Sequence, residues 1–149
     1  MTAVEITDES ACDCDLEALA GLCAHLIAAL RLHPDCELSV LLVDEERMAE
    51  LHEDWMHEPG PTDVLSFPMD ELRRPDPGEE PIAGMLGDIV LCPSYARRQA
   101  AARGRSLDAE LQFLVTHGLL HLIGYDHGTE SEYEAMFALQ DELLSGWVR

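Results

Sequence analysis

The sequence predicts an α+β domain, a small mixed sheet of about four strands with helices packed around it. Three observations point there. The strand-like runs are short and lie in the first two thirds of the chain. From Ser94 onward the pattern is helical almost without a break. The element order is β-α-β-α-β-β-α-α-α, with the sheet laid down first and the helices last.

Taken in order, Val4–Thr7 alternates weakly and is a first strand. Asp15–Leu32 reads as a helix, because Leu16, Leu19, Cys23, Ile27 and Leu30 recur at helical spacing and share a core-facing stripe. Pro34 follows its end. Glu37–Val43 is a continuous run of leucine and valine, the pattern of a buried strand. Asp44 is placed to cap a helix over Glu45–Trp55. Thr62–Phe67, between Pro61 and Pro68, and Gly87–Leu91 read as two further strands. Pro75, Pro77, Gly78, Pro81 and Gly84 forbid regular structure between them. A loop of that length is either a lid or a mobile decoration. Ser94–Arg103 is a helix stopped near Gly104, Ser106 caps Leu107–Ile123, and Gly124 ends it. Thr129-x-x-Glu132 is a capping box that opens a last helix reaching about Trp147.

The totals narrow the class. The 149 residues, 47% of them hydrophobic, suit one domain with a real core, spanning 1–149. Apolar runs such as Leu38–Val43 and Leu119–Ile123 are far short of the about 20 residues a membrane span needs. The acidic opening MTAVEITDES lacks the order of a signal peptide, so a cytoplasmic protein without membrane association is expected. The five cysteines are odd in number and form no CxxC framework, and free thiols are the expected state. Cys12-x-Cys14 offers two ligands without partners, too few for a metal site. The formal charge is −21, with nine arginines and no lysine, which argues against a large nucleic-acid-coating surface.

Chemistry concentrates in Thr116–His127, where the spacing is His-x3-His-x2-Gly-x2-His. Residues four apart share one helix face, so His117 and His121 project side by side, one turn apart. Gly124 takes positive φ at no steric cost and lets the chain swing His127 back as a third ligand. The helix around them is apolar on nearly all sides, and buried imidazoles need polar partners. One metal ion, zinc by its liking for imidazole, serves all three and forms a cleft beside this helix. Three protein ligands leave a fourth position open, the arrangement of catalytic zinc. His25, His33, His52 and His57 lie outside this pattern and are read as solvent-exposed.

The same spacing occurs in metzincin proteases, but Gly118 stands where they carry their Glu base, which weighs against peptide hydrolysis. HGLLHLIGYDH more closely resembles the signature of the YbeY family of bacterial rRNA-maturation endoribonucleases. Pro61–Pro68 (PTDVLSFP), Gly87-Asp88-Ile89, the Gln99 helix and Glu110-Leu111-x-Phe113-Leu114 agree in place and order. The likeness runs from about Glu37 to Trp147. It implies a zinc-dependent nuclease cutting single-stranded RNA. It further implies a role in maturing the small-subunit rRNA 3′ end and in ribosome quality control, with the ribosomal small subunit as partner and no DNA substrate. His117, His121 and His127 carry over as zinc ligands, while Asp63 and Ser66 line the cleft by this analogy alone. One departure stands out: the family commonly has an Arg after the aromatic residue that precedes PTDVLSF, and here Trp55 is followed by Met56.

No general base is assigned. Asp126 either orients a histidine or caps the turn as an Asx residue. Ser94–Leu107 holds Arg97, Arg98, Arg103 and Arg105 and no acid, and Arg97 and Arg98 are the candidate RNA-binding pair. Pairing of these arginines with carboxylates is the competing reading. Two other functions stay open, a zinc hydrolase of another substrate class such as a metzincin-like peptidase, and a non-catalytic ribosome-associated factor.

Overall fold

The computed structural model describes residues 3–147. Four strands and five helices follow in the expected order: β1 (Ala3–Asp8), α1 (Leu16–Ala29), β2 (Glu37–Leu42), α2 (Glu45–Met56), β3 (Val64–Pro68), β4 (Met85–Leu91), α3 (Pro93–Arg103), α4 (Leu107–Leu122) and α5 (Glu130–Ser145). The sheet runs β1-β2-β4-β3, with β1, β2 and β4 parallel and β3 antiparallel on the edge. It is the mixed four-strand α+β arrangement the pattern predicts.

Strand alternation decides which element covers which face. Val40 and Leu42 on β2 sit opposite Ile89 and Leu91 on β4, and these four join Leu22, Leu26, Leu119 and Leu120 in the main core under α1 and α4. Leu65 on β3 opposes Val90 on β4 on the other face, where both pack with Met48 of α2. Each fully buried leucine contributes roughly 1.5–3 kcal/mol of hydrophobic stabilisation, so the larger cluster under α1 and α4 dominates the fold. Helix α4 is the spine, with β3 and β4 beneath it and α1, α3 and α5 around it.

Boundaries moved where backbone geometry overrode the apolar pattern. Helix α1 stops at Ala29 because Arg31 turns into the left-handed region (φ 59°), yet Leu30 and Leu32 stay buried past its end. Strand β4 begins at Met85, ahead of a bulge where the register with β2 slips. Gly87 occupies that bulge at φ +136°, and a Cβ there would meet the Phe67 carbonyl oxygen at 2.2 Å. Cys12 and Cys14 are joined by a disulfide, correcting the expectation of free thiols throughout, while Cys23, Cys36 and Cys92 are free and buried. The loop between β3 and β4 is pinned by Asp70, whose Oδ2 accepts from Met85 N at 2.7 Å, and by Arg73 on Glu79 at 2.6 Å. Among the described residues no helix is long and apolar enough to cross a membrane.

Replacing Gly87 with Ala should cost about 1–3 kcal/mol or more in urea-induced unfolding, from lost backbone freedom and the clash with Phe67.

Candidate metal centre

Helix α4 begins at Ser106, whose Oγ accepts from Ala109 N at 3.1 Å, and runs through the core with nine of its residues buried. One face carries His117 and His121, their rings edge to face with centroids 4.6 Å apart. Their Nε2 atoms lie 3.1 Å from each other.

The other nitrogen of each ring decides what that short distance means. His121 Nδ1 lies 2.9 Å from the carbonyl oxygen of Tyr125, a group that only accepts, so Nδ1 carries the proton. Gln140 of α5, fully buried, donates its amide nitrogen to Phe113 O at 3.3 Å and turns its Oε1 to His117 Nδ1 at 3.1 Å. His117 Nδ1 therefore also carries its proton. Both Nε2 atoms are then bare when the rings are neutral, and burial favours the neutral form. Desolvation pushes the His117 pKa below 6.5, helped by His121 and His127 against the Gln140 hydrogen bond and Asp63. Desolvation likewise lowers His121, helped by His127 against the Tyr125 carbonyl and Asp126.

Two lone pairs facing at 3.1 Å repel unless a cation sits against both. Nitrogens sharing one tetrahedral zinc, each about 2.0–2.1 Å from it, lie about 3.4 Å apart, so the pair fits such an ion with little movement. His127 completes the set: its ring centroid is 5.5 Å from His117 and 5.2 Å from His121, and one nitrogen from each of the three falls within 4.8 Å of the others. Gly124 at φ +96° makes the turn that returns it, and Tyr125 N donates to Leu120 O at 3.0 Å within that turn. His127 is exposed and sits farther out, the loosest of the three. Asp126 Oδ1 accepts from the adjacent His127 N at 2.8 Å.

Gly118 explains itself by packing. A Cβ there would meet Ser66 Oγ at 3.0 Å and Ile89 Cγ2 at 3.1 Å, so a glutamate like that of a metzincin would crowd the packing of helix on sheet. Ser66 Oγ donates to Gly118 O at 3.2 Å, pinning β3 to α4, and does not line the cleft. Asp63 does line it, with Oδ1 accepting from Val64 N at 2.7 Å. The cleft, about 360 Å³, is lined by His117 and His127, by Arg103 and Arg105, and by the aromatic rings of Phe113, Tyr133 and Phe137.

Arg97 and Arg98 are elsewhere. Arg98 lies across Glu45 with two hydrogen bonds, holding that carboxyl down at about 2 together with Ser94, and Arg97 lines a separate hollow beside Asp13 and Asp44. Met56 is 43% exposed and offers no hydrogen-bond donor at its end of α2. Of the other histidines, His57 is exposed, but His52 is not: only 14% of its side chain is accessible, with Nδ1 on Gly60 O at 2.9 Å and Nε2 3.2 Å from Glu58. His25 is half-buried against Trp147 and His33 half-buried beside Asp35. Gln140 gave no signal in the sequence, and Glu110 entered only as part of the Glu110-Leu111-x-Phe113-Leu114 match, with no role attached.

Fold and site together define a class, an α+β domain that presents three imidazoles to one point from a buried helix and its following turn. The model of the family Endoribonuclease YbeY matches residues 5–148. Relatives of that name include one from Thermobifida fusca, 56% identical over 99% of this chain and 95% of its own length. Another, from Cutibacterium acnes, is 52% identical over 97% and 93%. A protein from Thermotoga maritima with a solved solution structure superposes with a TM-score of 0.62 at 27% identity, over 97% of this chain and 91% of that one. The chain belongs to the endoribonuclease YbeY family.

Removing the Gln140 acceptor in Gln140→Leu should weaken metal binding about 10–100-fold, read by competition with a coloured chelator, with helix content unchanged. The lowered histidine pKa values also set a sign. As pH falls, the unfolded chain takes protons on His117 and His121 before the folded one does, so the metal-free fold is favoured above about 6.5 and loses that support below it. The melting temperature of chelated protein should fall through that window, and less so in His117→Gln/His121→Gln.

Proposed function

We propose that the chain is a zinc-dependent endoribonuclease, one domain acting on single-stranded RNA in the cytoplasm. Its place would be the maturation of the small-subunit rRNA 3′ end and ribosome quality control, with the small subunit as partner. The observation that carries this reading is the pair of bare Nε2 atoms 3.1 Å apart, with His127 close by. Family membership supplies the reaction, since the relatives are named endoribonucleases.

His117, His121 and His127 would hold the zinc ion, which would supply Lewis acidity toward a phosphodiester. The chain's own residues do the rest. Gln140 and the Tyr125 carbonyl hold the two helix histidines in the tautomer that leaves Nε2 free. Phe113 lies nearly parallel to His117, with ring centroids 6.4 Å apart, and adds an apolar neighbour to that side of the site. Tyr133, 52% exposed and stacked on Phe137 with centroids 4.4 Å apart, offers a face on which an unpaired base can lie, as single-strand binders do. Packing at Gly118 weighs against the peptidase alternative, which needs a carboxylate at that position.

His117→Ala should lose stoichiometric zinc and, with it, cleavage of a labelled single-stranded RNA to the level of the chelated protein, while casein stays uncut by either. Metal retained in full, or RNA cut at the wild-type rate, would overturn the proposal.

A further inference from the structure

We infer that Arg103 and Arg105, seated on the buried carboxylate of Glu110, form the phosphate-binding wall of the cleft and fix where an RNA backbone lies relative to the histidines. The inference deepens the reading of this cleft as an RNA site and rests on it.

The pair stands at a tight joint. Arg103 is the last residue of α3, Gly104 caps it at φ +68°, and Arg105 N donates to Ala100 O at 2.9 Å just before α4 begins. In the first turn of α4, Glu110 is fully buried (0% exposed). A buried carboxylate needs a counter-charge. Arg103 Nη1 donates to its Oε2 at 2.8 Å, and Arg105 Nε faces Oε1 at 3.4 Å without a hydrogen bond. One carboxylate thus carries two guanidinium groups. Each guanidinium has five N–H donors and a carboxylate about four lone-pair sites, so donors are left over. Both arginines keep contact with solvent, their side chains 46% and 34% exposed.

Arg105 also points the excess at the reaction site. Its guanidinium lies over the Phe113 ring at 4.7 Å, and Phe113 is the ring stacked on His117. Both arginines line the cleft that holds His117 and His127, with Asp63 as the one carboxylate among its lining residues. Arg103, Arg105, Asp63 and Glu110 sum to zero, in a chain of net −21. A dication at the histidines would then make this the positive spot on an acidic molecule. The contrast with other arginines is plain: Arg98 is matched one to one by Glu45, Arg47 by Glu50, and Arg73 is outnumbered by Glu79 and Asp76. A planar guanidinium pair of this kind suits the paired oxygens of a phosphodiester.

The test is salt dependence of binding. A fluorescent single-stranded RNA is titrated with the full chain, as purified and after chelation, across a series of salt concentrations. Each phosphate contact contributes about 0.7 to the slope of log K against log salt for single strands. Arg105→Gln should shrink the slope by about 0.7, and Arg105→Lys should restore most of it. Because Glu110 alone would be left buried and charged, the second variant is Arg103→Gln/Glu110→Gln/Arg105→Gln. It removes the whole cluster and should lose about 1.4. Arg97→Gln/Arg98→Gln should keep the wild-type slope. Equal slopes in the triple variant and the wild type, or a loss confined to Arg97→Gln/Arg98→Gln, overturn this inference and leave the RNA reading standing. Wild-type protein that binds no single-stranded RNA at any salt overturns both.

Discussion

Two imidazole nitrogens held bare at 3.1 Å are the constraint around which the rest of this molecule is arranged. Left alone they repel, and burial has already removed the option of cheap protonation. The fold keeps them there by fastening the far side of each ring. One fastening, the Tyr125 carbonyl, comes from the turn four residues on; the other, Gln140, from a separate helix. Beneath them α4 lies close enough to the sheet that a side chain at Gly118 would crowd Ser66 and Ile89. Helix position, turn and neighbouring helix all answer to the same pair of atoms.

How much of this was legible in the sequence depended on how local each feature is. His117 and His121 could be placed because four residues on a helix fix a direction, and Gly124 announced the turn that returns His127. The element order and the capping residues Asp44, Ser106 and Thr129 were readable for the same reason: each acts within one turn of itself. Gln140 was invisible because its partner is 23 residues away and lies on another helix. Glu110 was placed by the family likeness alone, and nothing local says that its side chain is fully buried. The four arginines before α4 summed to a basic strip, but a sum has no direction. The helix placed Arg97 beside Asp13 and Asp44 and Arg98 on Glu45, and left Arg103 and Arg105 in the cleft with the histidines. Cys12 and Cys14 were misjudged because counting thiols ignores how close two of them stand.

Charge is spent unevenly. Acidic residues far outnumber basic ones, and Arg47, Arg73 and Arg98 are each absorbed by a carboxylate close at hand. Burial of Glu110 costs solvation that a leucine at that position would not, and its two guanidinium neighbours offset that cost. A salt bridge of this kind is poor evidence for stability and better evidence that the cluster is kept for another purpose. The aromatic rings beside it add a non-polar boundary that raises the strength of any charge interaction inside the cleft.

Gln140 also ties the site to the order in which the chain is made. The three histidines leave a translating ribosome before α5 does, and until that last helix docks, His117 has no partner to choose its tautomer. A nascent chain therefore carries all three imidazoles before it carries the amide that orients one of them, and the aim of the His117 ring depends on α5 staying docked.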